Sequence, residues 1–252
     1  DAKTIPFDDP KTLSLFSSTE GIGLTPEQLQ GDQVASLAVP ECGTKFVRGM
    51  LEDSRPQTFS DLVRISGFSH GTNVWLDNAQ DLIKNGTCKL NEAISTRDDV
   101  MNFLIHRGMD RKHSFFVMEN VRKGKGIEKR NKQGQATTEF EAEMRENNIP
   151  EWFIESCKKI SYLFPRAHAV AYVMMAFRIA WFKVYHPLAF YAAYFSIRAK
   201  AFDLRIMTGD LKTQLTEFNR IKALDRAASP KDKDLMSALE VSMEMYQRGY
   251  RF

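Results

Sequence analysis

The sequence AHAVAYVMMAFRIAWFKVYHPLAFYAAYF spans residues 167–195 and is the most apolar part of the chain. Its apolar spacing predicts a buried core helix over residues 166–185. A membrane-spanning helix would need about 20 uninterrupted apolar residues. Arg178 and Lys183 interrupt this run, and its longest uncharged apolar stretch is the nine residues 169–177. The pattern therefore favours a helical protein core over a membrane span.

The composition of the chain is typical of a soluble globular protein. Of its 252 residues, 43% are hydrophobic and 27% are charged, which is enough to build a core. Cys42, Cys88 and Cys157 form no CxxC pair, so we expect neither a disulfide framework nor a cysteine zinc site, and a reducing, cytoplasmic setting. Residues 1–6 contain no initiator methionine and no apolar signal region. We therefore expect the chain to be a piece of a longer protein.

The charges are distributed unevenly along the chain, although the net charge is only +3. Residues 109–133 contain eight lysines and arginines against three acids, whereas residues 139–155 contain six glutamates against one arginine. One interpretation is that these are two solvated helix faces that pair with each other. The other is that the basic segment binds a polyanion.

The basic segment has a recognisable local pattern. Residues 111–122 have apolar side chains at helical spacing and predict an amphipathic helix. The predicted apolar stripe consists of Phe115, Phe116, Met118 and Val121. The helix continues into Arg122-Lys123-Gly124-Lys125-Gly126, where two glycines allow the backbone to approach a ligand closely. Phosphate would suit this loop, but no Walker A sequence is present, and a basic turn without a ligand is the alternative interpretation.

A 3.6-residue periodicity recurs along the chain and predicts an all-α fold. Extended segments are expected only at residues 4–7 and 33–39. Residues 128–138 contain no large apolar side chain and predict an exposed insertion between a first helical part, 9–127, and a second, 139–252. The predicted helices cover residues 10–16, 44–52, 58–65, 78–84, 96–106, 111–122, 139–147, 151–163, 166–185, 186–199, 204–223 and 230–249.

Catalytic patterns are scarce in this sequence. It contains no HExxH, GxSxG or EF-hand sequence. Asp8 and Asp9 precede Pro10 and are predicted to cap a helix, and Asp98 and Asp99 complement the dipole of another helix in its first turn. We therefore expect ligand binding rather than a complete enzyme active site.

Three clusters combine small, polar and cationic residues. Residues 66–72, SGFSHGT, are predicted to form a loop between two helices, which could wrap a polar ligand or merely turn a corner. Arg97 stands at a helix start, where the helix dipole disfavours a cation unless an anion is nearby. Arg166 and His168 follow Pro165 in the first turns of the apolar helix, where both could flank a bound phosphate. A structural histidine is the alternative for His168.

Four sequences occur in this order: ISGFSHGTNVWLDNAQDLI at residues 65–83, TRDDVMNFLI at 96–105, VRKGKG at 121–126 and YLFPRAHAVAYVMMAFRIAWFKVYHP at 162–187. Together they resemble the fingers domain of C-family replicative DNA polymerases, the PolC-type DNA polymerase III alpha subunits found mainly in low-GC Gram-positive bacteria. The resemblance implies an all-α fingers domain over residues 1–252. It also implies that residues 1–8 connect this domain to a palm domain.

The same resemblance implies roles for individual residues. Those expected around the incoming dNTP and the nascent base pair are Ser66, His70, Arg97, Phe164, Arg166 and His168. Those expected at phosphates or the DNA backbone are Arg122, Lys123 and Lys125. The insertion at residues 128–138 departs from the shorter connection expected in the family, which leaves open whether its cations contact DNA.

The resemblance places the chemistry outside these residues. The family's palm domain supplies the aspartates that bind Mg²⁺, so no catalytic residue and no metal ligand is expected here, and the fragment alone should be inactive. The implied partners are template–primer DNA, a dNTP, the palm and C-terminal domains of the same polymerase, and the sliding clamp and replisome. The alternatives are a helical DNA-binding or scaffold module without a nucleotide pocket and, against the lack of a metal-binding carboxylate pair, a small standalone transferase.

Overall fold

The computed structural model describes residues 1–127 and 139–252 and, between them, the backbone of residues 129–130 and 136–137. Helices dominate this part of the chain, which confirms the predicted all-α class. In chain order they are α1 (Pro10–Ser14), α2 (Lys45–Ser54), α3 (Phe59–His70), α4 (Gln80–Lys84), α5 (Arg97–His106), α6 (Arg111–Arg122), α7 (Glu139–Glu146), α8 (Glu151–Lys159), α9 (Arg166–Tyr185), α10 (Pro187–Ala193), α11 (Leu204–Met207), α12 (Leu211–Leu224) and α13 (Pro230–Gln247).

The described chain also contains one short antiparallel pair of strands. These are β1 (Lys129–Arg130) and β2 (Ala136–Thr137), with Lys129 opposite Thr137 and Arg130 opposite Ala136. The predicted exposure of the insertion at residues 128–138 lies outside what the structure describes. Single 3₁₀ turns occur at Ala2–Thr4, Glu20–Ile22, Glu27–Leu29 and Asp225–Ala227.

The extended segments expected from the sequence are not strands. In the first, Thr4 ends the 3₁₀ turn Ala2–Thr4 and Ile5 after it has an extended backbone, whereas residues 33–39 follow an irregular path. The irregular path has a physical reason, because the carbonyl oxygens of Ala35 and Leu37 accept hydrogen bonds from the buried Lys183 side chain instead of from a neighbouring strand.

Local side chains determine where several helices begin. Asp9 caps α1 as predicted, since its carboxylate accepts a hydrogen bond from the Thr12 amide at 2.8 Å. Thr58 and Asp61 form a reciprocal capping box at the start of α3. Asp210 caps α12 and thereby divides the helix that the sequence predicted over residues 204–223 into α11 and α12.

The chain divides into two compact units. We call residues 1–57 and 175–252 the terminal unit, and residues 58–174 the middle unit. The terminal unit contains one apolar cluster from α11, α12 and α13 and a second that includes residues of α10 and α13. The largest side chains in these clusters belong to Met207, Phe218, Leu239, Phe190, Tyr191 and Tyr246.

A buried ion pair lies in the core of the terminal unit. The Lys183 ammonium is fully buried and lies 2.9 Å from a Glu244 carboxylate oxygen. The Tyr191 hydroxyl donates a hydrogen bond to the other oxygen of Glu244 at 2.7 Å. Burial lowers the pKa of Lys183, and the nearby Glu244 carboxylate opposes this change. The cation that interrupts the apolar run is thus a satisfied core residue.

The burial of Lys183 also helps to decide whether the apolar helix α9 is a core helix or a membrane span. Its length and its mean hydropathy of 1.2 would suffice for a membrane span. However, the Lys183 ammonium on this helix is bonded to protein oxygens inside the terminal unit, and Phe177 is fully buried there as well. Both features are typical of a core helix in a water-exposed domain, as the sequence predicted.

Lys183→Met should destabilise the terminal unit by about 3–5 kcal/mol, because it leaves the Glu244 carboxylate buried without its cation. The free energy of unfolding in urea measures this effect. Lys212→Met is the matched control, since Lys212 is an exposed lysine of α12 and its loss should change stability by at most about 0.5 kcal/mol. Equal effects of the two substitutions would contradict the role of the buried pair.

The middle unit is built around α3, α5, α6 and α8. α5 packs against α6, and the Phe103 and Phe153 rings stack with their centroids 4.0 Å apart. The buried side chains of this core include Leu62, Ile65, Phe68, Val100, Leu104, Val117, Val121 and Ile154. Cys88 and Cys157 are buried free thiols in this unit, and burial raises the pKa of Cys88 to about 11.

Helix α6 differs from its prediction in one respect. Its buried face is formed by Ser114, Val117, Met118 and Val121, whereas Phe115 and Phe116 are each 44% exposed. The predicted apolar stripe was therefore wrong at the two phenylalanines. The reason is geometric, because these residues lie roughly 100–200° around the helix from Val117 and Val121 and cannot share their face.

Candidate functional site

An extended segment of the middle unit, residues 161–164, forms backbone hydrogen bonds to three other parts of that unit. The first part is the turn after α3. The Thr72 amide donates to the Tyr162 carbonyl at 3.0 Å, and the Ser161 amide donates to the Thr72 carbonyl at 3.0 Å. The Asn73 side-chain amide adds a bond to the Ser161 hydroxyl at 2.9 Å. These contacts attach the end of α3 to the extended segment.

The other two parts are the end of α6 and the start of α5. The Leu163 amide donates to the Arg122 carbonyl at 3.3 Å, and the Arg97 amide donates to the Phe164 carbonyl at 3.1 Å. Residues 161–164 therefore hold all three predicted clusters in one backbone network. The three clusters are far apart in the sequence, and the structure brings them together.

Aromatic rings from α3 and α9 meet at this network. The His70 ring stacks on Phe164 with centroids 4.8 Å apart and an angle of 24° between the planes. The His168 ring meets Phe164 edge-on at 5.0 Å and lies 4.7 Å from the Tyr172 ring. His70, His168 and Tyr172 are exposed. Tyr172 was missed by the sequence reasoning, although its position four residues after His168 on a helix signals the contact.

Two helix N-termini also lie side by side here. α5 begins at Arg97 and α9 at Arg166, and the Asp98 carboxylate in the first turn of α5 accepts a hydrogen bond from the Arg166 amide at 2.9 Å. The Arg166 guanidinium lies 3.9 Å from the Asp99 carboxylate and is 43% exposed. In the part of the chain that the structure describes, the Arg97 guanidinium has no hydrogen-bond or ion-pair partner.

Asp98 and Asp99 therefore do more than complement a helix dipole. Asp99 forms a capping box with Thr96, whose amide donates to the Asp99 carboxylate at 2.8 Å. Asp98 connects the starts of α5 and α9 through its bond to Arg166. The two carboxylates position the two helix N-termini that carry the candidate arginines.

Ser66 lies in a different environment from the one predicted. The sequence predicted a loop at residues 66–72, but α3 continues to His70, so Ser66 is helical and only 5% exposed. The helix continues because Ile65 and Phe68 on either side of Ser66 are both buried in the core. Among the described atoms, the buried Ser66 hydroxyl has no hydrogen-bond partner. His70, one turn later, is the exposed member of this cluster.

The glycine between these two residues has a packing role. A Cβ atom on Gly67 would lie 2.8 Å from the Ser95 carbonyl oxygen and 2.9 Å from the Thr96 methyl carbon. The absence of a side chain therefore lets α3 approach the residues that precede α5. This close approach keeps residues 66–72 near Arg97.

The basic loop after α6 contains both paired and unpaired cations. Glu119 forms ion pairs with Arg122 and with Lys123, the latter at 2.8 Å. Hydrogen bonds from these two cations lower the pKa of Glu119 to about 2, so the pairs persist at neutral pH. Lys125 is exposed and, within the described residues, has no ion-pair partner. The sequence reasoning missed Glu119, whose signal was its spacing of three and four residues from the two cations.

Gly124 gives the loop its path. Its φ of +68° is one that residues with a Cβ rarely adopt, and a Cβ there would lie 2.6 Å from the Ser161 carbonyl oxygen. The loop therefore lies directly against the extended segment. The sequence predicted that this loop could approach a ligand closely, and in the structure the loop closely approaches the backbone of Ser161.

The two oppositely charged segments pair mainly within themselves and with nearby residues. Arg145 pairs with Glu141 at 2.6 Å and with Glu151 at 2.7 Å. Contacts between the segments include the His113–Glu143 pair at 2.8 Å and the neighbouring His113 and Phe140 rings, whose centroids lie 5.8 Å apart. Among the described residues, Arg122 and Lys123 pair with Glu119 of their own segment and not with the acidic one. No group of three or more potential metal ligands occurs among the described residues.

The fold and the site define a class: an all-α domain with adjacent helix N-termini, exposed cations and exposed rings, as in helical modules that bind nucleotides or nucleic acid. The comparisons with known proteins are specific. Residues 1–148 match the family described as the bacterial DNA polymerase III alpha subunit finger domain. The chain belongs to that family, which confirms the resemblance inferred from the motifs.

Related curated proteins extend the match over the whole chain. It is 55% identical over 251 residues to the DNA polymerase III PolC-type of Caldanaerobacter subterraneus, 52% identical over 252 residues to that of Bacillus subtilis, and 54% identical over 255 residues to that of Thermotoga maritima. Each match covers 100% of this chain but only 17% or 18% of the relative. The chain therefore spans less than a fifth of the length of these relatives.

Gly67→Ala should destabilise the middle unit by about 1–3 kcal/mol, because the new methyl group overlaps the Ser95 backbone. Thermal unfolding measures the change. Gly49→Ala in α2 is the matched control, since a Cβ at Gly49 meets no atom within 4 Å and the substitution should stabilise its helix by up to about 1 kcal/mol. A neutral Gly67→Ala variant would show that the close approach is not required.

Proposed function

We propose that this chain is the part of a DNA-directed DNA polymerase that binds the incoming dNTP and the nascent template–primer end and closes over a palm active site elsewhere in the polymerase. One observation carries the proposal. The adjacent N-termini of α5 and α9 present Arg97 and Arg166 beside the stacked rings of His70 and Phe164. Family membership supports the same proposal.

The two arginines suit a triphosphate. Their guanidinium groups stand at helix N-termini, where backbone amides also favour anions. Asp98 and Asp99 offset the dipoles at these helix ends, but Arg97 has no partner among the described residues and Asp99 offers Arg166 only a long contact of 3.9 Å. A triphosphate would therefore give these guanidinium groups the charge-assisted hydrogen bonds that they lack among the described residues. The same donors stabilise the negative charge that develops on the leaving pyrophosphate.

The stacked rings suit the bases. His70 and Phe164 are nearly parallel, and His168 lies edge-on to Phe164. A parallel pair of this kind offers a flat ring face to a base. In this proposal the exposed His168 ring, which contacts Phe164 and Tyr172, borders the site, while the buried Ser66 supports the end of α3 from inside the unit. This assignment keeps all six residues at one site but gives them different exposures.

The reaction itself needs groups outside this chain. In the polymerase, Mg²⁺ bound by palm carboxylates supplies the charge neutralisation that phosphoryl transfer requires. The residues of this chain bind and orient the triphosphate and, when the fingers close, couple base pairing to chemistry. The proposed partners are template–primer DNA, a dNTP, the palm and C-terminal domains, the sliding clamp and the replisome, in the cytoplasm. The fragment alone is expected to be inactive.

The basic loop is assigned to the DNA backbone. Lys125 is the cation best placed to gain from a phosphate, because it has no partner among the described residues. Arg122 and Lys123 share Glu119, so a phosphate must compete with that carboxylate. A second candidate function, a helical DNA-binding or scaffold module without a nucleotide pocket, would use the same loop through the exposed Lys125. That candidate requires duplex binding to be independent of triphosphate.

Arg97→Ala or Arg166→Ala in the intact polymerase should lower kcat/KM for dNTP by about a hundredfold, with little change in DNA affinity. Single-turnover incorporation and DNA binding, measured side by side, test this. Arg205→Ala is the matched control, since Arg205 is an exposed arginine of α11 outside the site. Equal losses of dNTP use and DNA binding would favour the module without a pocket, and unchanged kinetics would remove that arginine from the site.

Lys125→Ala should weaken DNA binding by the polymerase and reduce the dependence of log Kd on log salt by about one phosphate contact. Titrations at several salt concentrations measure the slope. Lys212→Ala, in the terminal unit, is the control and should leave the slope unchanged. An unchanged slope for Lys125→Ala would instead identify a solvated basic turn.

A further inference from the structure

The outward face of α6 presents a strip of side chains that the proposed nucleotide site does not use. At 3.6 residues per turn, Arg111, Lys112, Phe115 and Phe116 face one side of the helix. The buried face, which includes Ser114 and Val117, lies on the other side. We call these four outward residues the α6 strip.

The two rings of the α6 strip are exposed where burial would be favourable. Phe115 and Phe116 are each 44% exposed, and their rings meet edge-on with centroids 6.1 Å apart. Exposed apolar groups that are grouped together and bordered by polar residues mark interaction sites. The pair therefore indicates a ligand that covers aromatic surface.

The charges next to the rings show which ligand fits. Arg111 and Lys112 are exposed and, in the described part of the chain, have no ion-pair partner. Each lies one helical turn before a ring, at the spacing where side chains are neighbours. The strip thus places two cations one helical turn from two rings.

Two carboxylates lie near the strip, and both are already engaged. Asp110 accepts hydrogen bonds from the Lys112 and His113 amides, which lower its pKa. Glu119, one turn beyond the rings, is paired with Arg122 and Lys123. Glu143 of α7 also lies beside α6 and is paired with His113 at 2.8 Å. Residues 110–125 themselves contain five lysines and arginines against two carboxylates, so this segment complements a polyanion.

A ligand that has both flat apolar rings and regularly spaced negative charges matches this face. Single-stranded nucleic acid has unpaired bases that stack on aromatic side chains and phosphates that pair with cations. A duplex hides its base faces, and a purely apolar protein surface would leave Arg111 and Lys112 unused. We propose that the α6 strip binds the unpaired template strand, an inference that rests on the proposed polymerase function.

The experiment uses the intact polymerase and primer–template DNA with either a one-nucleotide or an approximately twelve-nucleotide template overhang. Phe115→Leu/Phe116→Leu keeps apolar volume but removes the aromatic faces. It should abolish the gain in affinity that the long overhang gives, about tenfold or more for two stacked bases, and leave the short-overhang affinity unchanged. Arg111→Gln/Lys112→Gln should lower the salt slope for the long overhang by about 1.4.

The matched control is Phe46→Leu, because Phe46 is another exposed phenylalanine, 49% exposed on α2. A leucine pair that keeps the gain from the long overhang overturns the proposal, and so does an equal loss on both overhangs, which would indicate an apolar contact with the rest of the polymerase. Arg97→Ala serves as the reference for the proposed function. If it still impairs dNTP use while the α6 strip variants are neutral, only the present inference fails.

Discussion

The backbone hydrogen bonds of residues 161–164 determine where the candidate ligand-binding side chains of the middle unit lie. This short extended segment bonds to the turn after α3, to the last residue of α6 and to the first residue of α5, and it continues into α9. Backbone groups buried among helices must find partners, and these partners come from three separate parts of the chain. Clusters distant in sequence therefore share one surface chiefly through backbone hydrogen bonds, to which the Asn73–Ser161 and Arg166–Asp99 side-chain contacts are added.

Backbone hydrogen bonds and close contacts at two glycines therefore fix the positions of the segments that carry the site. Gly67 lets α3 approach the residues before α5, and Gly124 lets the basic loop lie against Ser161. The side chains above this base remain exposed, as His70 and Lys125 are. A rigid base with exposed groups on it is what precise positioning of a ligand requires, because the ligand then orders few additional backbone torsions when it binds.

Much of the fold and of the grouping of the site could be predicted from the sequence. The bounds of α9 follow from Pro165 at its entry and His186-Pro187 at its exit, and both are local signals. The burial of Ser66 could not be predicted, because the glycine-rich sequence after it suggested a loop while core packing prolonged α3. The exposure of Phe115 depends on which face of α6 meets α5, and that is decided by tertiary packing.

The cations of the middle unit differ in whether a carboxylate already pairs with them, and this difference determines how much each gains from a bound anion. Arg122 and Lys123 already share the Glu119 carboxylate, so a phosphate gained there replaces an existing ion pair and adds little net binding. Arg97 has no partner among the described residues, and Asp98 and Asp99 already offset the dipole at its helix end, so an anion there adds attraction without displacing an ion pair of Arg97. The strongest dependence on a bound anion therefore belongs to the helix N-terminus at Arg97, and the basic loop contributes chiefly through Lys125.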